Sequence, residues 1–97
     1  GGLITLRDRG IALGRTHALL DGIAERRSVS GAAERLGLSY RAAWERLRAL
    51  EDALGRPVVV KTKGHGTVLT PLGAGLLDAL GRTLGSFERA LAEEGRA

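Results

Sequence analysis

The sequence predicts an α+β fold that is mostly helical. Three observations carry this reading. Apolar residues recur at helical spacing through the first half of the chain and again after Pro71. A β-branched stretch is confined to residues 58–62, and glycine or proline stands wherever the pattern changes. At 97 residues, 43% hydrophobic and 27% charged, the chain has the size and profile of one globular domain. The reading places core and hairpin over residues 1–70 and a closing helix over 71–94.

Leu3-Ile4-Thr5-Leu6-Arg7 reads as a short strand bounded by Asp8 and Gly10. A helix is expected from about Leu13 to Arg27, with Leu19, Leu20, Ile23 and Ala24 as its apolar positions. Ser28-Val29-Ser30 offers hydroxyl caps for a short helix from Gly31 to Leu36. Its apolar face is Val29, Ala32, Ala33 and Leu36; Gly37 ends it, and Leu38 returns to the core. Ser39 caps a third helix running to about Leu54, stopped by Gly55 and Pro57.

Beyond Pro57, Val58 to Thr62 and Thr67-Val68-Leu69 are expected to pair as a hairpin. Lys63-Gly64-His65-Gly66 forms its tip, where glycine supplies positive φ. Thr70 caps the last helix and Pro71 occupies its first position, where the missing N–H costs nothing. That helix is expected to run to about Glu94.

Composition excludes several functions. With no cysteine there is no disulfide framework and no thiolate metal or redox site. His17 and His65 are far apart in sequence and lack paired carboxylates, so no metal or other cofactor is expected. No serine or acid sits in a nucleophile motif, the glycines form no phosphate-binding loop, and the chain is not expected to be an enzyme. No apolar run reaches the roughly 18 residues of a membrane span. Gly1-Gly2-Leu3-Ile4-Thr5 has no basic region followed by an apolar core, so no signal peptide and no membrane partner are expected.

Charge placement points to a partner. Between Arg26 and Lys63 stand nine bases and four acids, a local excess of +5 within a net +4. All of the positive excess therefore lies in the middle of the chain, as a nucleic-acid footprint would. An ordinary solvated surface gives the same count, so charge alone does not decide.

Spacing decides more. Two short helices joined at Gly37-Leu38, followed by a hairpin with basic flanks, make a winged helix-turn-helix with a long C-terminal dimerisation helix. Ala33 is expected where the two helices cross, and Leu36, Leu38, Ala43 and Leu47 close the small core that fixes their angle. At about 100° per residue, Ala43, Leu47, Leu50 and Leu54 share the core stripe of the third helix. Arg41, Glu45, Arg48 and Asp52 lie opposite, with Tyr40 and Trp44 between.

The candidate DNA contacts are Ser39, Tyr40, Arg41, Trp44, Glu45 and Arg48 on this helix, and Lys61, Lys63 and His65 on the wing. Arginine bonds guanine bidentately and glutamate accepts from cytosine N4, so these types suit a helix entering a major groove. The wing bases would meet phosphates or a minor groove. Other roles fit some of them equally: packing for Trp44, an i,i+4 surface pair for Arg41 and Glu45, a cap for Ser39, a plain solvated hairpin for the wing.

Leu77, Leu80, Leu84, Phe87 and Leu91 step by three and four residues, a short heptad seam that predicts a homodimer. Its first half is expected to cover the domain's own core and its second half to project past it towards a symmetry mate. Gly81 and Gly85 would allow a close helix pair there.

The run Ser28-Val29-Ser30-Gly31-Ala32-Ala33-Glu34-Arg35-Leu36-Gly37-Leu38-Ser39-Tyr40-Arg41-Ala42-Ala43-Trp44 resembles the N-terminal DNA-binding domain of the ModE family of molybdate-responsive transcriptional regulators. Arg56-Pro57-Val58-Val59-Val60 and Leu69-Thr70-Pro71-Leu72-Gly73 resemble that family's wing strand and the start of its dimerisation helix. The same segments are similar to LysR-type regulators, which share Ala-Ala-x-x-Leu, a Leu-Arg-Ala-Leu-Glu stretch and Leu-Thr-Pro-x-Gly; Tyr40 and Trp44 favour the ModE-like reading. The resemblance covers roughly Ile11 to Leu91.

It implies a dimeric, sequence-specific regulator of double-stranded DNA in the cytoplasm of a bacterium or archaeon, on the nucleoid when DNA-bound. It also implies recognition-helix roles for Ser39, Tyr40, Arg41 and Trp44 and a wing at Lys61 to His65, with a shorter glycine run than the family often carries. ModE regulators bind molybdate in C-terminal domains, and these residues offer an oxyanion nothing beyond generic arginine, so molybdate binding is not expected from this chain alone. The competing readings are a fragment of a LysR-type regulator and a winged-helix module for protein–protein interaction.

Overall fold

The computed structural model describes residues 2–96. Four helices, α1 (Gly2–Arg26), α2 (Val29–Leu36), α3 (Tyr40–Leu54) and α4 (Pro71–Arg96), accompany a two-stranded antiparallel sheet of β1 (Val59–Thr62) and β2 (Gly66–Leu69). The expected fold class is what the chain adopts. One expected element is not there: residues 3–7 are helical, part of a continuous 25-residue α1.

The reason lies in a tertiary contact. Leu6, Gly10 and Leu13 follow one another at helical spacing and line an apolar cleft against Leu84 and Phe87 of α4. A Cβ on Gly10 would come within 3.2 Å of the Phe87 ring, so this glycine admits a neighbouring helix rather than ending an element. The two helices run antiparallel, Gly10 beside Phe87 and His17 beside Gly81. The second half of α4 therefore does not project alone, because the first half of α1 accompanies it.

The helix-turn-helix forms through local chemistry. The Ser28 hydroxyl accepts the Gly31 N–H at 2.9 Å, starting α2 at Val29, two residues earlier than expected. Gly37, at φ 68°, closes α2 in the left-handed region, and Leu38 N–H returns to the Ala33 carbonyl at 2.9 Å. Ser39 then caps α3 by accepting the Ala42 N–H at 3.0 Å. Each such cap contributes about 1 kcal/mol. α1 and α2 cross closely, a Cβ on Gly22 lying 3.0 Å from that of Ala32; Ala33 is buried beside it.

Leu20, Ile23, Leu47 and Val58 are fully buried at the centre, with Val29, Ala32, Ala33, Ala43 and Leu80 around them. Small residues on α2 and α3 keep this core thin and hold the two helices close. On α3 the apolar stripe weakens towards the C-terminus. Leu50 is half-buried, and Leu54, expected in the core, is 40% exposed because the helix outlasts the body it packs on. Ala24 of α1 is likewise exposed.

The wing is tied down at both ends. The Glu51 carboxylate of α3 accepts the Val58 N–H at 2.8 Å. Val58 in turn accepts the Thr70 N–H at 2.9 Å. The Thr70 hydroxyl accepts the Gly73 N–H at 3.1 Å and donates to the Pro57 carbonyl at 2.9 Å, so one side chain caps α4 and fastens it to the entry of β1. The outer edge of β2 is covered where Thr67 N–H donates to the Arg27 carbonyl at 2.9 Å.

Candidate nucleic-acid interface

The register of the hairpin decides which wing residue meets α3. Val59 pairs with Leu69 and Lys61 with Thr67, so these four side chains share one face of the sheet. Val59 and Thr67 are buried on that face, and Lys61, one step further out, reaches its rim. Val60 points the other way and is exposed.

Lys61 there joins α3. Tyr40, Arg41, Trp44, Glu45, Arg48 and Lys61 line one open depression between the first turns of α3 and the wing. Five of the six residues expected to serve on the helix and one of the three expected on the wing thus stand together. Ser39 is exposed just ahead of them, at the start of α3. Lys63 and His65 are exposed at the hairpin tip, outside the depression. There Gly64 and Gly66 have φ of 84° and 73°, and the His65 N–H donates to Thr62 at 3.3 Å.

Trp44 is half-buried; it packs on the core and borders the depression at once. Tyr40 meets it edge-on, with centroids 6.4 Å apart and planes at 76°. The Arg48 guanidinium lies 5.6 Å from the Trp44 ring centroid, within cation–π range. The indole is therefore a fixed floor that orients Tyr40 and Arg48.

Arg41 and Glu45 do pair, at 3.2 Å across one helical turn. The Arg41 side chain is 89% exposed, so the pair is worth a few tenths of a kcal/mol and yields readily to a stronger anion. Arg48 and Lys61 have no carboxylate partner among the described residues, whereas Arg35 is engaged by Asp21 and Glu25 and Arg82 by Asp78. The depression therefore carries unneutralised positive charge beside hydrogen-bonding side chains and an aromatic plane. Such a surface accepts phosphates and base edges. Among the described residues no three metal-ligating side chains stand together, and no helix is long and apolar enough to cross a membrane.

The seam on α4 divides. Leu77 packs against the core and Leu80 is buried in it. Leu84 and Phe87 are half-buried against α1, and Leu91 is 51% exposed. Gly81 faces His17 of α1, and a Cβ on Gly85 would meet the tip of the Arg89 side chain of its own helix. Exposed Leu6 and Leu13 of α1 widen this apolar strip beside Leu84 and Phe87. Sequence reasoning missed the α1 half of this strip, although the Leu6, Gly10, Leu13, His17, Leu20 spacing repeats every three or four residues.

Residues 15–74 match the model for bacterial regulatory helix-turn-helix proteins of the lysR family. The chain is 39% identical to the molybdenum-pterin-binding protein MopB of Rhodobacter capsulatus, over 86% of this chain and 38% of that protein. It therefore spans well under half of that relative. Among solved structures, a CbnR DBD–DNA complex superposes with a TM-score of 0.70 at 27% identity, covering 84% of this chain and 92% of that one. ArgP from Mycobacterium tuberculosis superposes with a TM-score of 0.66 at 32% identity, over 82% of this chain and 30% of that one. These similarities agree with both resemblances read from the sequence.

Proposed function

Since the chain belongs to the bacterial regulatory helix-turn-helix proteins of the lysR family and so is a regulator's DNA-binding domain, we propose that it is of ModE type and reads a specific duplex sequence as a homodimer. The observation that carries this is the grouping of Tyr40, Arg41, Trp44, Glu45, Arg48 and Lys61 around one open, positively charged depression. In the proposed complex the first turns of α3 enter a major groove. Arg41 leaves Glu45 to bond a guanine edge, and Glu45 becomes free to accept from a cytosine amino group. Arg48, Lys61 and Lys63 meet phosphates, and His65 rides at the wing tip. Ser39 caps α3 and presents its exposed start to the backbone of the DNA.

Tyr40 and Trp44 on α3 and the similarity to MopB support the ModE type over other lysR-family regulators. The name of that relative belongs to a much longer protein, and no molybdenum or pterin site is proposed on these residues. Dimerisation is assigned to the apolar strip that Leu6, Leu13, Leu84 and Phe87 form across α1 and α4, with exposed Leu91 four residues further along α4. Leu77 and Leu80 support that strip from within the core. The expected location is the bacterial cytoplasm.

Selection from a random duplex pool tests the proposal. A specific dimer is expected to enrich a pseudopalindrome with half-sites about one helical turn apart, bound roughly 10³-fold or more tightly than bulk DNA. Enrichment of no sequence would remove the claim of specific readout. Enrichment of single half-sites would remove the dimer.

A further inference from the structure

Arg27 is the one non-glycine among the described residues with positive φ, at 52°. The other four positive-φ positions, Gly37, Gly55, Gly64 and Gly66, are all glycines. An L side chain is disfavoured in this region, and glycine or asparagine is the usual occupant. The backbone of Arg27 has little freedom to escape it. Its N–H closes α1 on the Ile23 carbonyl at 2.8 Å, and its own carbonyl accepts the Thr67 N–H of the wing at 2.9 Å. Gly66 presses on the same carbonyl so closely that a Cβ there would lie 2.3 Å from the oxygen.

The fold thus asks for a glycine at position 27, and the side chain present gives nothing back to the interior. It is exposed and has no hydrogen bond or ion pair among the described residues, since neighbouring Glu25 is held by Arg35 at 3.1 Å. It stands instead against the wing. The Arg27 Cβ would be 3.7 Å from a Cβ on Gly66. Gly66 follows His65 of the tip, and Thr67 faces Lys61 across the sheet. A backbone that disfavours an L side chain, occupied by an exposed and unpaired arginine at the outer edge of the wing, is the pattern of a group kept for an outside partner.

We propose that Arg27 is a DNA-phosphate contact, fixed to the wing through its own backbone. This rests on the DNA reading above and adds a residue that neither α3 nor the hairpin itself supplies. A phosphate passing the wing tip would meet Lys63 from the hairpin and Arg27 from the corner beneath it. The wing position and the charge beside it then move as one unit, because Thr67 and Arg27 share a hydrogen bond.

The test compares wild type with Arg27→Gly, Arg27→Asn and Arg27→Lys, titrating each against a random duplex across a range of salt. Glycine and asparagine suit the backbone, so melting temperatures are expected to hold or rise slightly. Duplex affinity is expected to fall about eightfold at 0.1 M salt for each phosphate no longer neutralised, with the log–log salt slope shallower by about 0.9. Lysine is expected to keep the wild-type slope. Wild-type affinity and slope in the glycine and asparagine variants would overturn the proposal. So would weaker binding with an unchanged slope, which is what a merely displaced wing would produce. A wild-type protein that binds no duplex removes the DNA reading itself, and this proposal with it.

Discussion

Gly73→Ala is expected to cost about 3 kcal/mol or more and to lower the melting temperature by roughly 12 °C or more. A Cβ at this position would lie 2.2 Å from the Val58 carbonyl oxygen and 3.1 Å from its carbon. Neither is the end of a flexible side chain. Val58 is fully buried, its N–H is held by Glu51, and its carbonyl is held by the Thr70 N–H. Relief therefore requires moving β1 away from α3 or tilting α4 off Thr70. The matched control is Gly75→Ala, in the same helix with nothing within 4 Å of the added methyl. There the gain in helix propensity should raise stability by about 0.5–1 kcal/mol. Thermal unfolding followed by circular dichroism separates the two. Equal melting temperatures would show that α4 is not clamped to the wing as described.

Joint replacement of Arg41 and Arg48 by alanine is the change expected to affect function most. Arg41 is so exposed, and its pair with Glu45 so weak, that its loss should barely touch stability. Removing Arg48 also removes a cation–π interaction with Trp44, worth about 0.5–1 kcal/mol at an exposed site. Binding is a different matter. Deleting a side chain that reads a base from the first turns of a recognition helix costs about 1–3 kcal/mol of discrimination, and deleting one that neutralises a phosphate flattens the salt dependence. The double variant is therefore expected to bind its selected site at least about 100-fold more weakly while melting within a few degrees of wild type. An adaptor that uses this surface to hold another protein would show DNA affinity unmoved by the double change.

How much of this was legible beforehand follows from how local the deciding physics is. Ser28, Gly37, Ser39, Gly55 and Thr70 mark helix ends through bonds to backbone within four residues or through a positive φ, so their positions announced α2, α3 and the start of α4. The hairpin was expected as a β-branched run paired with Thr67-Val68-Leu69, and its register is what the structure adds. It places Lys61 on the α3 side of the sheet and leaves Lys63 and His65 at the tip. What failed was nonlocal. Gly10 looks like a breaker until Phe87 is found against it, and without that neighbour residues 3–7 read as a strand. Leu54 continues the core stripe in sequence, but the body it would pack against has ended. Arg27 gave no signal of its left-handed backbone, because an arginine rarely fills the helix-end position that its bond to Ile23 closes; the tie from Thr67, forty residues away, was out of reach of any local pattern.

Whether α3 and the wing together form a duplex-binding surface is tested most directly by fluorescence anisotropy with a random duplex of about 30 base pairs, titrated across salt. Each neutralised phosphate contributes about −0.9 to the log–log slope, so a dimer neutralising roughly six to ten phosphates should give a slope near −5 to −9. Binding that is undetectable at low salt, or detectable with a flat salt dependence, would contradict a duplex-binding role for that surface.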